Sequence, residues 1–160
     1  MDRHVRLLLQ LLFAVGQQTK RVETLVFSTS VTRVTRQLRA PSFCEAMRRI
    51  GEMVDHWSGG TRIGDSLARV NADYKAMEDR HTTVFLCSDG WETGSPEVLA
   101  RELKRMRRRV KGIVWLNPLI GTEGYEPLVR GLQAATPHVD RFVPASDVAH
   151  LKRLPGLLRH

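Results

Sequence analysis

Residues 82–90 read TTVFLCSDG. The run is apolar, rich in β-branched and aromatic side chains, and stops on Ser88, Asp89 and Gly90. A short apolar run bounded by turn residues reads as a strand buried on both faces, here at about 82–88. The loop WETGS follows, then a helix capped by Ser95 with Pro96 at its first position, running to about Arg109. GIVWLNP supplies the next strand, about 112–116, ended by Asn117 and Pro118. Strand, helix and strand at this spacing argue for an α/β fold with a mostly parallel sheet covered on both faces.

The same rhythm extends outward. Towards the C-terminus we expect helix over 125–135, a short strand at about 140–143 in VDRFVPA, and a last helix over 146–158. Towards the N-terminus, 62–77 reads as a helix with Ile63, Leu67, Val70 and Tyr74 on one face. Before it lies the glycine-rich loop WSGGTRIGDSL. Residues 42–55 carry Phe43, Met47, Ile50, Met53 and Val54 at helical spacing, with Ser42 and Glu45 placed as a capping box. RVETLVFST, 21–29, is a buried strand, and SVTRVTRQL, 30–38, an edge strand whose arginines discourage further pairing. Residues 2–16 form a helix with Val5, Leu8, Leu9, Leu12 and Phe13 on one side. Its apolar stretch is broken by Gln10 and lacks a small-residue cleavage site, so core packing is expected rather than a signal peptide.

The 160 residues fit one domain, with 42% hydrophobic content, no repeat and no linker. No stretch of 18 apolar residues could span a membrane. The two cysteines, Cys44 and Cys87, show no CxxC spacing, which excludes a disulfide scaffold and points to the cytoplasm. The net charge of +8 invites a nucleic-acid reading. Yet the basic residues of RELKRMRRRVKG alternate with acidic and apolar ones, as on a solvated helix face. A docking face for an acidic protein, carried by Arg101, Arg105, Arg108 and Arg109, is the expectation preferred over nucleic acid.

Ligands of such sheets bind beyond the carboxyl ends of the strands. Three stretches should meet there: Ser28 and Thr29, Asp89 and Gly90, and Asn117, with Thr61 entering from the SGGT loop. Hydroxyls and a carboxylate suit a hard divalent cation, and Asp65 or Glu92 could add a second acid. Each residue also has a plainer role. Asp89 could only shape a turn, Thr61 only cap a helix, Asn117 only end a strand. Trp115 reads as core, whereas Trp57 and Trp91 flank the loops and read as surface. SGGTRIG lacks the ending of a P-loop, no GxGxxG follows a strand, and no HExxH or GxSxG occurs. An enzyme is therefore not expected.

VETLVFSTSVTRVTRQLR, DHWSGGTRIGDSL, CSDGWETGSPEVLARELKRMRRR, GIVWLNPLIG, GYEPLVRG and PHVDRFVPA together cover nearly the whole chain. In these segments the chain resembles the von Willebrand factor type A (VWA) domain, specifically its bacterial CoxE-like group. The resemblance implies a Rossmann-like three-layer α/β/α fold over 1–160 and a metal-ion-dependent adhesion site. That site combines a DxSxS motif after the first, central strand with a threonine, matching Thr61, and an aspartate, matching Asp89. Ser28, Thr29, Trp57, Ser58, Gly59, Gly60, Gly90 and Trp91 would form its rim or touch a partner.

The DxSxS motif is missing, because Met1 falls where the motif's closing methionine would stand. The expectation is a domain truncated at its N-terminus, or else a degenerate paralogue without its metal site. It follows that Mg²⁺, which the complete family domain would hold, binds this chain weakly or not at all. Loss of the central strand would also leave ladder groups unpaired, so poor stability is expected. The resemblance further implies partnership with a MoxR-type AAA+ ATPase and a metalloenzyme client, as in carbon monoxide dehydrogenase operons.

Overall fold

The computed structural model describes residues 3–18, 21–54, 61–126 and 129–145. The backbone groups into two compact units, Met1–Gly60 and Thr61–His160, dividing at the end of the SGG stretch.

In the first unit, helix α1 (Arg3–Gln18) is followed by strands β1 (Leu25–Phe27) and β2 (Val31–Arg33), a 3₁₀ turn (Gln37–Arg39) and helix α2 (Phe43–Met53). α1 continues two residues past Gly16, its expected end. β1 and β2 pair antiparallel, Leu25 opposite Arg33 and Phe27 opposite Val31. The second strand is far shorter than 30–38. Past Arg33 the Val34 N–H still donates to the Thr24 carbonyl (2.9 Å), but the Thr35 hydroxyl then accepts from Thr24 N–H (2.9 Å). A side-chain oxygen thus replaces the next ladder acceptor, and the chain turns into the 3₁₀ segment. Val34 and Leu38 point inward all the same, joining Leu9, Ile50 and Val54 in a core flanked by Val5, Leu12, Phe13 and Phe43. Phe13 meets Phe43 edge to face at 5.8 Å. The Ser42 hydroxyl caps α2 by accepting from Glu45 N–H (3.2 Å). The other half of the expected box is absent, because the Glu45 carboxylate pairs with Arg48 and Arg49.

In the second unit, α3 (Ile63–Asp73), a 3₁₀ turn (Lys75–Met77), β3 (Thr83–Cys87), α4 (Pro96–Arg107), β4 (Gly112–Asn117), α5 (Arg130–Ala135) and β5 (Arg141–Pro144) follow in order. The three strands form a parallel sheet in the order β3-β4-β5. Thr83 pairs with Gly112 and Cys87 with Leu116, while Val114 pairs with Arg141 and Asn117 with Pro144. This is the α/β architecture expected. β4 is central, and five consecutive residues from Ile113 to Asn117 are buried, as its unbroken apolar run required. α4 begins at Ser95, whose hydroxyl accepts from Val98 N–H (3.3 Å). Leu99, Leu103 and Met106 line its buried side at helical spacing.

Two boundaries in this unit differ from expectation. The 62–77 helix breaks at Tyr74, and a 3₁₀ turn follows. The helix expected from 125 starts only at Arg130. The helix expected over 146–158 lies outside the described residues. No described helix is long and apolar enough to cross a membrane.

Candidate functional site

Parallel pairing puts the carboxyl ends of β3 and β4 side by side, and the chain leaves β3 through Ser88, Asp89 and Gly90. Gly90 has φ +84°, so the turn needs a residue at ease in left-handed backbone. Asp89 Oδ1 accepts from Trp91 N–H (2.9 Å), and Ser88 Oγ accepts from Gly90 N–H (3.1 Å). Asp89 therefore does shape its turn, through one carboxylate oxygen, and its side chain remains exposed. Beneath it, Asn117 is fully buried. Its amide donates to the Tyr125 hydroxyl (2.9 Å) and more weakly to the Asp89 carbonyl (3.4 Å), while its Oδ1 accepts from Leu119 N–H (2.8 Å). Asn117 does more than end a strand: it ties the 89 and 119–125 loops together.

The loop after Asp89 is fastened to the start of α3. Thr93 donates twice to the Thr61 carbonyl, from its backbone N–H (3.2 Å) and its hydroxyl (3.1 Å). Glu92 accepts from Gly64 N–H (2.8 Å) with one oxygen and from Gly94 N–H (2.6 Å) with the other. The N-cap of α3 is Arg62, which makes no side-chain capping bond. Thr61 is thus not the cap, and a carboxylate from the neighbouring loop occupies the α3 N-terminus, where the helix dipole favours it. Glu92 is engaged in this fastening, and Asp65 is exposed beside Arg62 (3.5 Å).

The second unit thus brings the Thr61 loop, Asp89, Gly90 and Asn117 into one bonded arrangement. Ser28 and Thr29 belong to the first unit, where they form the turn between β1 and β2. Trp57, Ser58, Gly59 and Gly60 lie outside the described residues. Trp91 is 65% exposed and Trp115 fully buried. Cys87 ends β3, and burial, reinforced by the Asp89 charge, pushes its thiol up to about 12. It is protonated at neutral pH and is no nucleophile there.

The arginines of α4 are largely engaged within the molecule. Arg101 pairs with Glu102 (2.9 Å), Arg105 with Glu102 (3.3 Å), Arg107 with Asp140 (2.8 Å) and Arg109 with Glu78 (2.6 Å). Of the four expected to form a docking face, Arg101 and Arg105 stay more than half exposed while paired, and Arg108 is exposed at the helix C-cap. Three cations in the last turn also suit the negative end of the helix dipole.

A family model described as a VWA domain containing CoxE-like protein matches residues 1–151. The chain belongs to the CoxE-like VWA family. No curated protein and no solved structure matches the chain. Membership accounts for the parallel sheet, and it suggests an accessory role. CoxE-like membership also raises the question of magnesium. The Thr61 hydroxyl and the Asp89 carboxylate suit a hard cation in kind. No group of three or more His, Cys, Asp or Glu among the described residues is arranged as a metal site.

Sequence reasoning missed Glu92 as a fastener and Tyr125 as part of the site. Glu92 was visible only as a candidate ligand, because capping by a residue 28 positions away leaves no local spacing signal. Tyr125 lies in a segment read as helix, which hid its place beneath Asp89.

Proposed function

We propose that the chain is a non-catalytic interaction module of the cytoplasm, working with a MoxR-type AAA+ ATPase in the maturation of a metalloenzyme. Its contact surface centres on Thr61 and Asp89. The family match supports the accessory role. The observation that supports this surface is the pair of hydrogen bonds from Thr93 to the Thr61 carbonyl, which ties the threonine loop to the loop bearing Asp89. A surface pre-organised in this way loses less entropy on binding a partner.

The test is binding of the full chain to a MoxR-type ATPase of the same organism, with Thr61→Ala and Asp89→Ala alongside. Each substitution should weaken the complex by about tenfold or more, as expected for residues at the centre of an interface. Equal affinity for all three proteins would refute the reading. Titration calorimetry with Mg²⁺ should give no binding tighter than about millimolar, the range of sparsely liganded sites. Micromolar affinity that depends on both residues would show that the chain completes a metal site of its own.

A further inference from the structure

A surface pocket of about 470 Å³ opens beside Asp89. Trp91, Leu119, Tyr125 and Val129 line it, together with the acidic residues Asp89 and Glu126. Among the described residues no lysine or arginine contributes to the lining, although the chain carries a net charge of +8. Trp91 and Met53 are the large apolar side chains left exposed among the described residues, and Trp91 is the more exposed, at 65%. The pocket is also firmly built. Buried Asn117 holds both the Tyr125 hydroxyl (2.9 Å) and the Leu119 N–H (2.8 Å). The Trp91 N–H is tied to one oxygen of Asp89 (2.9 Å), which leaves the other oxygen available to a ligand.

Aromatic faces flanked by two carboxylates suit a planar, delocalised and weakly hydrated cation. An apolar occupant would strip water from two carboxylates without replacing it, and an acidic occupant would be repelled. From this we infer that the pocket receives an arginine side chain from an exposed segment of a partner protein. Asp89 and Glu126 pair with its guanidinium while the indole of Trp91 packs against it. This contact lies beyond the Thr61–Asp89 surface proposed above, shares only Asp89 with it, and needs no metal.

The probe is the peptide Gly-Gly-Arg-Gly-Gly, titrated into the ¹⁵N-labelled full chain in the presence of EDTA. Saturable shifts should appear at the Trp91 indole N–H and at the amides of Leu119, Tyr125 and Val129. The peptide with citrulline, which keeps the shape and loses the charge, should bind about tenfold more weakly. Glu126→Gln should weaken arginine binding several-fold, and Trp91→Ala should abolish it, while Thr61→Ala leaves it unchanged. The Trp115 indole N–H, bonded to the Ser88 carbonyl, reports that each variant is folded. If Trp91→Ala disturbs that signal, the exposed and conservative Glu126→Gln carries the test. Three results would overturn the inference: a leucine peptide that binds as tightly as the arginine one, arginine shifts unaffected by Glu126→Gln, or no saturable shift up to the solubility of the peptide. Since Thr61→Ala acts only on ATPase binding, failure of this inference and failure of the proposed function are distinguishable.

Discussion

At the level of single residues, the turn carrying Asp89 depends on two glycines that touch. A β-carbon on Gly131 would lie 2.2 Å from the Gly90 carbonyl oxygen, and one on Gly90 would lie 2.4 Å from Leu132 Cγ. The first clash is with backbone and cannot be relieved by a rotamer change. Gly131→Ala should therefore destabilise the chain by about 3 kcal/mol, at the upper end of overpacking costs, and should shift the amide of Asp89 in NMR spectra. Gly51 gives the opposite expectation. It lies in α2, and a β-carbon there would meet nothing within 4 Å, so Gly51→Ala should stabilise by about 0.5–1 kcal/mol through helix propensity alone. Denaturant unfolding of both variants checks the pair. Equal effects would mean that the close approach at Gly131 is not a constraint. Neither glycine of the touching pair announces its role in the sequence: Gly90 follows an aspartate at a strand end and reads as a turn, but the contact with Gly131 joins positions 41 apart and has no local signature.

Between elements, the seam of α3 and α4 is held by a polar network that periodicity could not reveal. The Asn71 amide donates to the Glu102 carboxylate (2.9 Å) and carbonyl (3.1 Å), and its oxygen accepts from Arg109. Arg109 also donates to Glu78 (2.6 Å), whose side chain is 4% exposed. Removing Arg109 would leave a buried carboxylate without its cation, so Arg109→Ala should cost about 3–5 kcal/mol. Arg108→Ala, one position earlier but exposed, should stay within about 0.5 kcal/mol. Matching losses in thermal or denaturant unfolding would contradict the network. The two arginines look alike in RELKRMRRRVKG, because charge patterning separates a helix face from a core but not a paired arginine from a free one. The start of α4 at Ser95 and Pro96 was legible because the capping signal is local; the partners of Arg109 lie 31 and 38 residues away. The clasp at the α3 N-terminus is of the same kind. Glu92→Ala should speed amide exchange at Gly64 and Gly94 while leaving exchange in β4 unchanged, and uniform acceleration across the second unit would instead mean a general loss of stability.

For the whole molecule, the sequence conveyed the parallel sheet because β3 and β4 are buried apolar runs. It overstated β2, where a threonine hydroxyl ends the ladder. It also offered Arg101, Arg105, Arg108 and Arg109 as a docking face, although Arg101, Arg105 and Arg109 pair with carboxylates of the chain itself. That matching should govern the response to acid. Burial pushes the Glu102 carboxyl up, but the Asn71 amide and the Arg101 and Arg105 guanidiniums outweigh it, and the group titrates below its ordinary 4.5. Burial opposes the same shift at Glu23, where the Thr35 hydroxyl and Arg33 prevail. At the surface, hydrogen bonds from Arg48 and Arg49 hold Glu45 down to about 2. A carboxyl whose pKa is lowered by folding contributes stability that is fully present above its unfolded value and is lost as pH falls through its folded value. The melting temperature should therefore be nearly flat above about pH 5 and fall progressively below about pH 4.5. Glu102→Gln should lower stability by about 1–3 kcal/mol at pH 7, the range for a hydrogen bond to a charged group. The gap between it and the parent chain should be fully present above 4.5 and close as the pH falls through the lowered folded value, where the parent carboxyl is itself protonated. Raising salt should leave that gap nearly intact, since Glu102 is buried, while Glu45→Gln should have little effect at any salt because its partners are solvated. Melting curves of the three proteins from about pH 7 down to the acid limit of folding decide the matter, and a gap for Glu102→Gln that stays unchanged throughout would assign its cost to packing rather than charge.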